Sequence, residues 1–267
     1  MAKRLICLAS TVLLAAGSAG AQNAEAQKEV RWNAPFGGRF SANFTVASDY
    51  SYAGISNTQL QPAYQAGLDY RSADLLSAPQ VWFYLSAWGS NVSFPASGPA
   101  VEIDLLGGLK TRLMDGRLKL DVGYLRYTYP GTPAELAYGY GEFHVQADYD
   151  FGPVNISARV RHSPDFFGKS GASWTKRGRL GVPLDFLPWP SGVSVEAYGT
   201  LGNFWVDNFI RDGLPTNEYW YWQTGVVVWA VGLEFHLAYT ATSLSYENCG
   251  YTAYCSGRLF ASVTKTF

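Results

Sequence analysis

The sequence predicts an all-β fold: a transmembrane antiparallel β-barrel of about 12 strands, preceded by a cleaved signal peptide. Three observations carry that prediction. Segments of roughly ten residues alternate apolar with polar, which puts the two classes on opposite faces of a strand. The connections between segments alternate long and short, as in barrels with one looped rim and one tight rim. The chain of 267 residues is 16% aromatic but only 15% charged, against roughly a quarter charged in an ordinary soluble domain. That many aromatic residues exclude disorder. A formal net charge of −1 without a basic run leaves no electrostatic footprint for nucleic acid. Beyond the N-terminus, no apolar stretch approaches the roughly 20 residues that a membrane-crossing helix needs.

The elements follow in order. Lys3 and Arg4 precede an apolar run from Leu5 to Ala16, and small residues end in Ala19-Gly20-Ala21. A positive start, a short apolar core and an A-x-A site make residues 1–21 a secretory signal. Cleavage after Ala21 removes Lys3 and Arg4 from the 20 basic residues, leaving 18 against 21 acidic, a net of −3. Cys7 leaves with the signal, so Cys249 and Cys255 remain, in a compartment where disulfides persist. Residues 22–38 read as a polar leader and 39–267 as the barrel. The predicted strands are 39–48, 62–71, 80–89, 100–111, 117–128, 138–149, 153–162, 172–182, 192–202, 219–229, 232–242 and 257–267. In the clearest of them, Val154, Ile156, Ala158 and Val160 oppose Asn155, Ser157, Arg159 and Arg161. Residues 80–89 and 219–229 carry aromatics on both faces, as interface girdles do. Long connections follow the odd-numbered strands; most of the others are tight, such as Met114-Asp115-Gly116 and Ala230-Val231. Lipid offers the backbone no hydrogen-bond partner, so a spanning sheet must close on itself. The last strand groups Leu259, Ala261, Val263 and Phe267 on one face, interrupted by Lys265, whose amine reaches water from the rim.

If the apolar faces meet lipid, the polar faces line the lumen. Glu102, Asp104, Asp121, Glu142 and Asp148 then lie on strands four to six, and Arg159, Arg161, Arg177 and Arg179 on seven and eight. An acidic wall beside a basic one gives a transverse field that biases which solutes pass. The opposite reading has the same weight: facing charges pair and plug the barrel. Lys119, Glu196 and Glu234 belong to the same set. Asp49 and Asp69 either flank a loop turned into the pore by Gly54 and Pro62, or Asp49 caps a turn and Asp69 stays solvated; the second reading is preferred. His144 and His236 point inward on distant strands, and His162 opens a loop with Ser163 and Asp165. A triad is a matter of geometry rather than adjacency, and no HExxH, Walker loop or paired CxxC occurs. Neither catalysis, metal nor cofactor is expected. Cys249 and Cys255, six positions apart, are expected to form a disulfide in the last long loop.

The runs 48–56 (Ser-Asp-Tyr-Ser-Tyr-Ala-Gly-Ile-Ser) and 62–70 (Pro-Ala-Tyr-Gln-Ala-Gly-Leu-Asp-Tyr) are the most specific motifs. With Trp88-Gly89-Ser90-Asn91-Val92, Glu102-Ile103-Asp104-Leu105, residues 121–131, residues 163–168 and the ending Thr264-Lys265-Thr266-Phe267, the mature chain resembles the TorF-type porin family of proteobacterial outer-membrane proteins. It departs from that pattern at Tyr52 and Ala53 and in a longer ninth loop. The resemblance implies an outer-membrane channel and brings no catalytic residue or defined substrate with it. The expectation is a passive diffusion channel for small polar or charged solutes. The alternative is a closed structural or adhesive barrel that binds partners through loops such as 203–218. Outer-membrane lipid, small solutes and the barrel-assembly machinery, engaging the strand that ends in Phe267, are the expected partners. Nothing in the sequence marks an oligomer interface.

Overall fold

A computed structural model describes residues 34–94, 98–209 and 216–267. The predicted signal peptide and residues 22–33 of the leader therefore lie outside the described residues. Twelve long strands form one sheet: β1 (Arg39–Ala47), β2 (Ala63–Arg71), β3 (Gln80–Asn91), β4 (Val101–Leu113), β5 (Leu118–Thr128), β6 (Tyr140–Asp150), β7 (Asn155–Ser163), β8 (Ser173–Pro183), β9 (Ser194–Val206), β10 (Glu218–Ala230), β11 (Leu233–Thr242) and β12 (Arg258–Thr266). Each pairs antiparallel with its sequence neighbours, and β1 pairs with β12, so the sheet closes into a barrel. That seam is short: five residue pairs, from Asn43↔Thr266 to Ala47↔Ser262, extended past the strand end by a reciprocal backbone pair between Ala42 and Phe267.

Two strands run clearly further than the alternation predicts at their loop-side ends. β3 continues through Ser90 and Asn91, and β9 through Asn203 to Val206, where it still pairs with β10 as Asn203↔Trp220 and Trp205↔Glu218. Backbone pairing continues past the lipid boundary, where an apolar outer face is no longer needed. Two shorter pieces accompany the long strands: a hairpin of Ser51–Tyr52 with Ile55–Ser56 within the first loop, and Leu76–Ser77, which pairs with the turn-side end of β3 in the same sheet.

The two faces differ as a membrane requires. Leu68, Leu85, Leu105, Phe143, Val145, Leu201 and Leu237 are exposed on the outside, an apolar band far larger than a water-soluble monomer presents. Tyr64, Trp174, Trp220 and Tyr239 stand exposed toward the loop side of that band, and Phe40, Phe151, Phe186 and Phe267 toward the turn side. These are aromatic belts at the two interfaces. The inner face carries the buried polar and charged side chains. The disulfide Cys249–Cys255 is formed, with Cα atoms 5.9 Å apart.

Candidate functional site

The alternation that points Phe143 and Val145 outward turns Glu142, His144 and Asp148 inward on β6, and the same parity holds along β4, β5, β7 and β8. All nine acidic and basic residues named above therefore face the interior. They do not form two plain walls. Arg161 Nη1 donates to Tyr127 Oη at 2.9 Å and lies 3.5 Å from Glu142 Oε2, while Tyr127 Oη donates to that same carboxylate at 2.8 Å. Arg179 is ion-paired with Glu196 on the next strand. Asp121 is held by three groups: Tyr84 Oη donates at 2.8 Å, His144 Nε2 lies at 3.2 Å and Lys110 Nζ at 3.5 Å. Asp148 accepts from Gln146 Nε2 on both oxygens at 3.0 Å. Pairing and segregation thus coexist. Arg159 and Arg177, opposite one another on β7 and β8, are the basic residues left outside the pairs.

The loop-side half of the lumen is filled by the first loop. Residues 52–58 are all buried, with Tyr50, Tyr52, Ser56 and Asn57 at 1% exposure or less, which no ordinary surface loop shows. Tyr50 Oη donates to Glu102 Oε1 at 3.0 Å, and Tyr52 Oη reaches Glu142 Oε1 at 3.5 Å and Thr175 Oγ1 at 3.4 Å. Burial pushes the Tyr52 phenol well above its ordinary range, with the Glu142 charge acting the same way, so it stays a neutral donor. The loop turns back at Gly54, whose φ is +85° and where a Cβ would lie 2.4 Å from Thr242 Cγ2; only glycine fits there.

Asp49 anchors this loop. Its Oδ1 accepts from Ser56 Oγ at 2.6 Å and Thr58 Oγ1 at 2.9 Å, and its Oδ2 accepts from Arg258 Nε at 2.7 Å. Arg258 also donates to the Gly54 and Tyr254 carbonyls. The loop does turn into the barrel, and Asp49 is buried at its base. Asp69 sits on the half-buried inner face of β2, taking bonds from Asn43 Nδ2 and Ser86 Oγ. Sequence reasoning missed Arg258 altogether; its only signal was a lone arginine just after the disulfide loop. That loop lies over the first one, with Ser56 N donating to Tyr254 O at 3.0 Å and Tyr254 Oη to Gln59 Oε1 at 2.9 Å. To one side, Phe94, Tyr129, Tyr138 and Phe167 form an aromatic cluster, Tyr138 stacked on Phe167 at 4.2 Å.

The histidines separate. His144 belongs to the Asp121 group, and His236 contacts the Tyr198 hydroxyl. His162 stacks on Trp174 at 4.2 Å with its Nδ1 at the Ser173 carbonyl. Ser163, next along the strand, is buried on the opposite face, and Asp165 pairs with Lys169 at 3.4 Å. Residues 162, 163 and 165 are not brought together.

Residues 33–267 match the model of a family described as bacterial protein of unknown function (Gcw_chp). No curated protein sequence matches the chain. Similar solved structures include the KdgM porin, at 8% identity and TM-score 0.48 over 85% of this chain and 99% of that one. An outer membrane channel from Pseudomonas putida F1 is 12% identical, TM-score 0.45, over 91% and 99% of the two chains. LpxR from Salmonella typhimurium is 11% identical, TM-score 0.44, over 85% and 99%.

Proposed function

The chain belongs to the Gcw_chp family, and from that premise and its built interior we propose an outer-membrane channel for small polar or charged solutes. Its loop-side entrance is closed at rest by its own first loop. The observation that carries the reading is the chemistry of the closure. Tyr50, Tyr52 and Asp49 hold the loop through hydroxyls, carboxylates and one guanidinium. Each such hydrogen bond to a charged group contributes only about 1.5–3 kcal/mol net, because water replaces it when it opens. A loop bound in this way can withdraw, leaving a charged lumen that water enters readily. On the turn side, Lys119, Asp148, Arg177 and Arg179 are only partly buried, which suits a vestibule.

The same proposal includes export by the 1–21 signal, insertion by assembly machinery that engages β12 and Phe267, and kinship with the TorF-type porins suggested by the 48–56 motif. Single-channel recording of the refolded barrel in planar bilayers tests it. The expected result is discrete, brief openings in the native protein. A variant carrying Tyr50→Ala and Tyr52→Ala should stay open several-fold longer. A folded, heat-modifiable barrel that stays silent in both forms would overturn the channel. The closed-barrel reading would then stand, favoured by the fully buried stack of Tyr127 on Tyr140 at 4.3 Å, with Phe166 edge-on at 4.5 Å.

A further inference from the structure

We propose that Arg159 and Arg177 form a binding site for a small oxyanion, a carboxylate or phosphate group, on the lumen wall. This deepens the channel reading and rests on it only for how the anion arrives. Four arginines climb the inner face of β7 and β8. The outer two are ion-paired within the fold, Arg161 with Glu142 and Arg179 with Glu196. The inner two are direct cross-strand partners. Among the described residues neither has a carboxylate oxygen within 4.0 Å, although Arg159 is only 7% exposed. Asp148, the acidic neighbour on β6, accepts from Gln146 on both oxygens and acts on Arg177 only at longer range, without an ion pair.

Like charges directly opposite on a sheet repel, and a buried guanidinium without a partner is costly. One oxyanion between the two forks removes both penalties, since each guanidinium offers paired N–H donors at the spacing of two oxygens. The opposite strand is shaped for it. Gly202 is the cross-strand partner of Arg177, and a Cβ there would lie 2.1 Å from the Tyr221 ring. The missing side chain lets that ring cross the wall, where its phenol is an electrostatic neighbour of both arginines and can donate to a further oxygen. Access comes from the turn side, past Ser157 and Arg179, which border a recess with Arg117, Lys119 and Asp148.

The test is the thermal midpoint of the full refolded barrel in neutral detergent, titrated with inorganic phosphate and, separately, acetate. Ionic strength is held fixed with chloride, so that general screening is constant. At least one of the two anions should raise the midpoint saturably in the native barrel. Arg159→Gln and Arg177→Gln should each weaken that response by about tenfold or more. Lys169→Gln, exposed in a long loop at the opposite rim, should leave it unchanged. If Arg159→Gln does not refold, Arg177→Gln at the less buried position carries the same comparison. The anion that acts at the lower concentration identifies the headgroup. A native midpoint indifferent to both anions, or equal titrations in native protein and arginine variants, would overturn the site. Because the readout needs no current, a barrel that binds phosphate yet never conducts would remove the channel and leave the site standing.

Discussion

At the scale of single residues, the interior is decided by who is paired with whom. Asp49 lies in the first loop and Arg258 opens β12, 209 positions away; Asp49 is buried and Arg258 half-buried against it. Removing one member leaves a buried charge behind, at a cost of about 3 kcal/mol or more. Arg258→Ala should therefore lower barrel stability in urea titrations by that order, and Asp49→Asn with Arg258→Ala should recover part of the loss. Equal losses in the single and double variants would mean that the pair is not coupled. The inward direction of the lumen charges is legible in the sequence, because alternation on a strand fixes the face of every side chain once one face is known. Their partners are not legible. Whether Arg161 finds Glu142, or Arg177 is left opposite Arg159, depends on strand register, and no turn motif in the sequence declares it.

At the scale of elements, the twelve strands were readable for one physical reason: lipid outside and a polar lumen inside impose the same alternation on each. The first loop was not, because a loop carries no periodicity and its burial depends on cavities made by distant strands. Tyr50 and Tyr52 look like turn residues until Glu102 and Glu142 stand beneath them. The strand logic makes a sharp prediction. Val145, at the middle of β6, is 58% exposed on the outer face and pairs with Val122. A charge there meets hydrocarbon, so Val145→Arg should cost about 2–4 kcal/mol and reduce the heat-modifiable fraction on refolding in lipid. The same arginine at Gln223, half-buried on the lumen face of β10 between Thr200 and Thr240, should cost far less; similar losses at both positions would contradict the assigned faces.

At the scale of the whole molecule, the rims differ. The long loops crowd one end, and the tight turns share the other with the start of β1 and the end of β12. An outer-membrane barrel keeps its short turns toward the periplasm. A cysteine replacing Asp165, in a long loop, should react with a membrane-impermeant maleimide on intact cells. One replacing Asp115, in a tight turn, should react only after the envelope is opened; the reverse pattern would invert the topology. The seam between β1 and β12 has a consequence in time. Thr45 meets Thr264 across 219 positions, and no earlier pairing can substitute for that contact. A nascent chain lacking its final strand has two raw edges and no inside. Such a polypeptide cannot finish folding while it is still being synthesised or exported; it must travel unsealed, and its last ten or so residues decide whether the journey ends in a wall or in an aggregate.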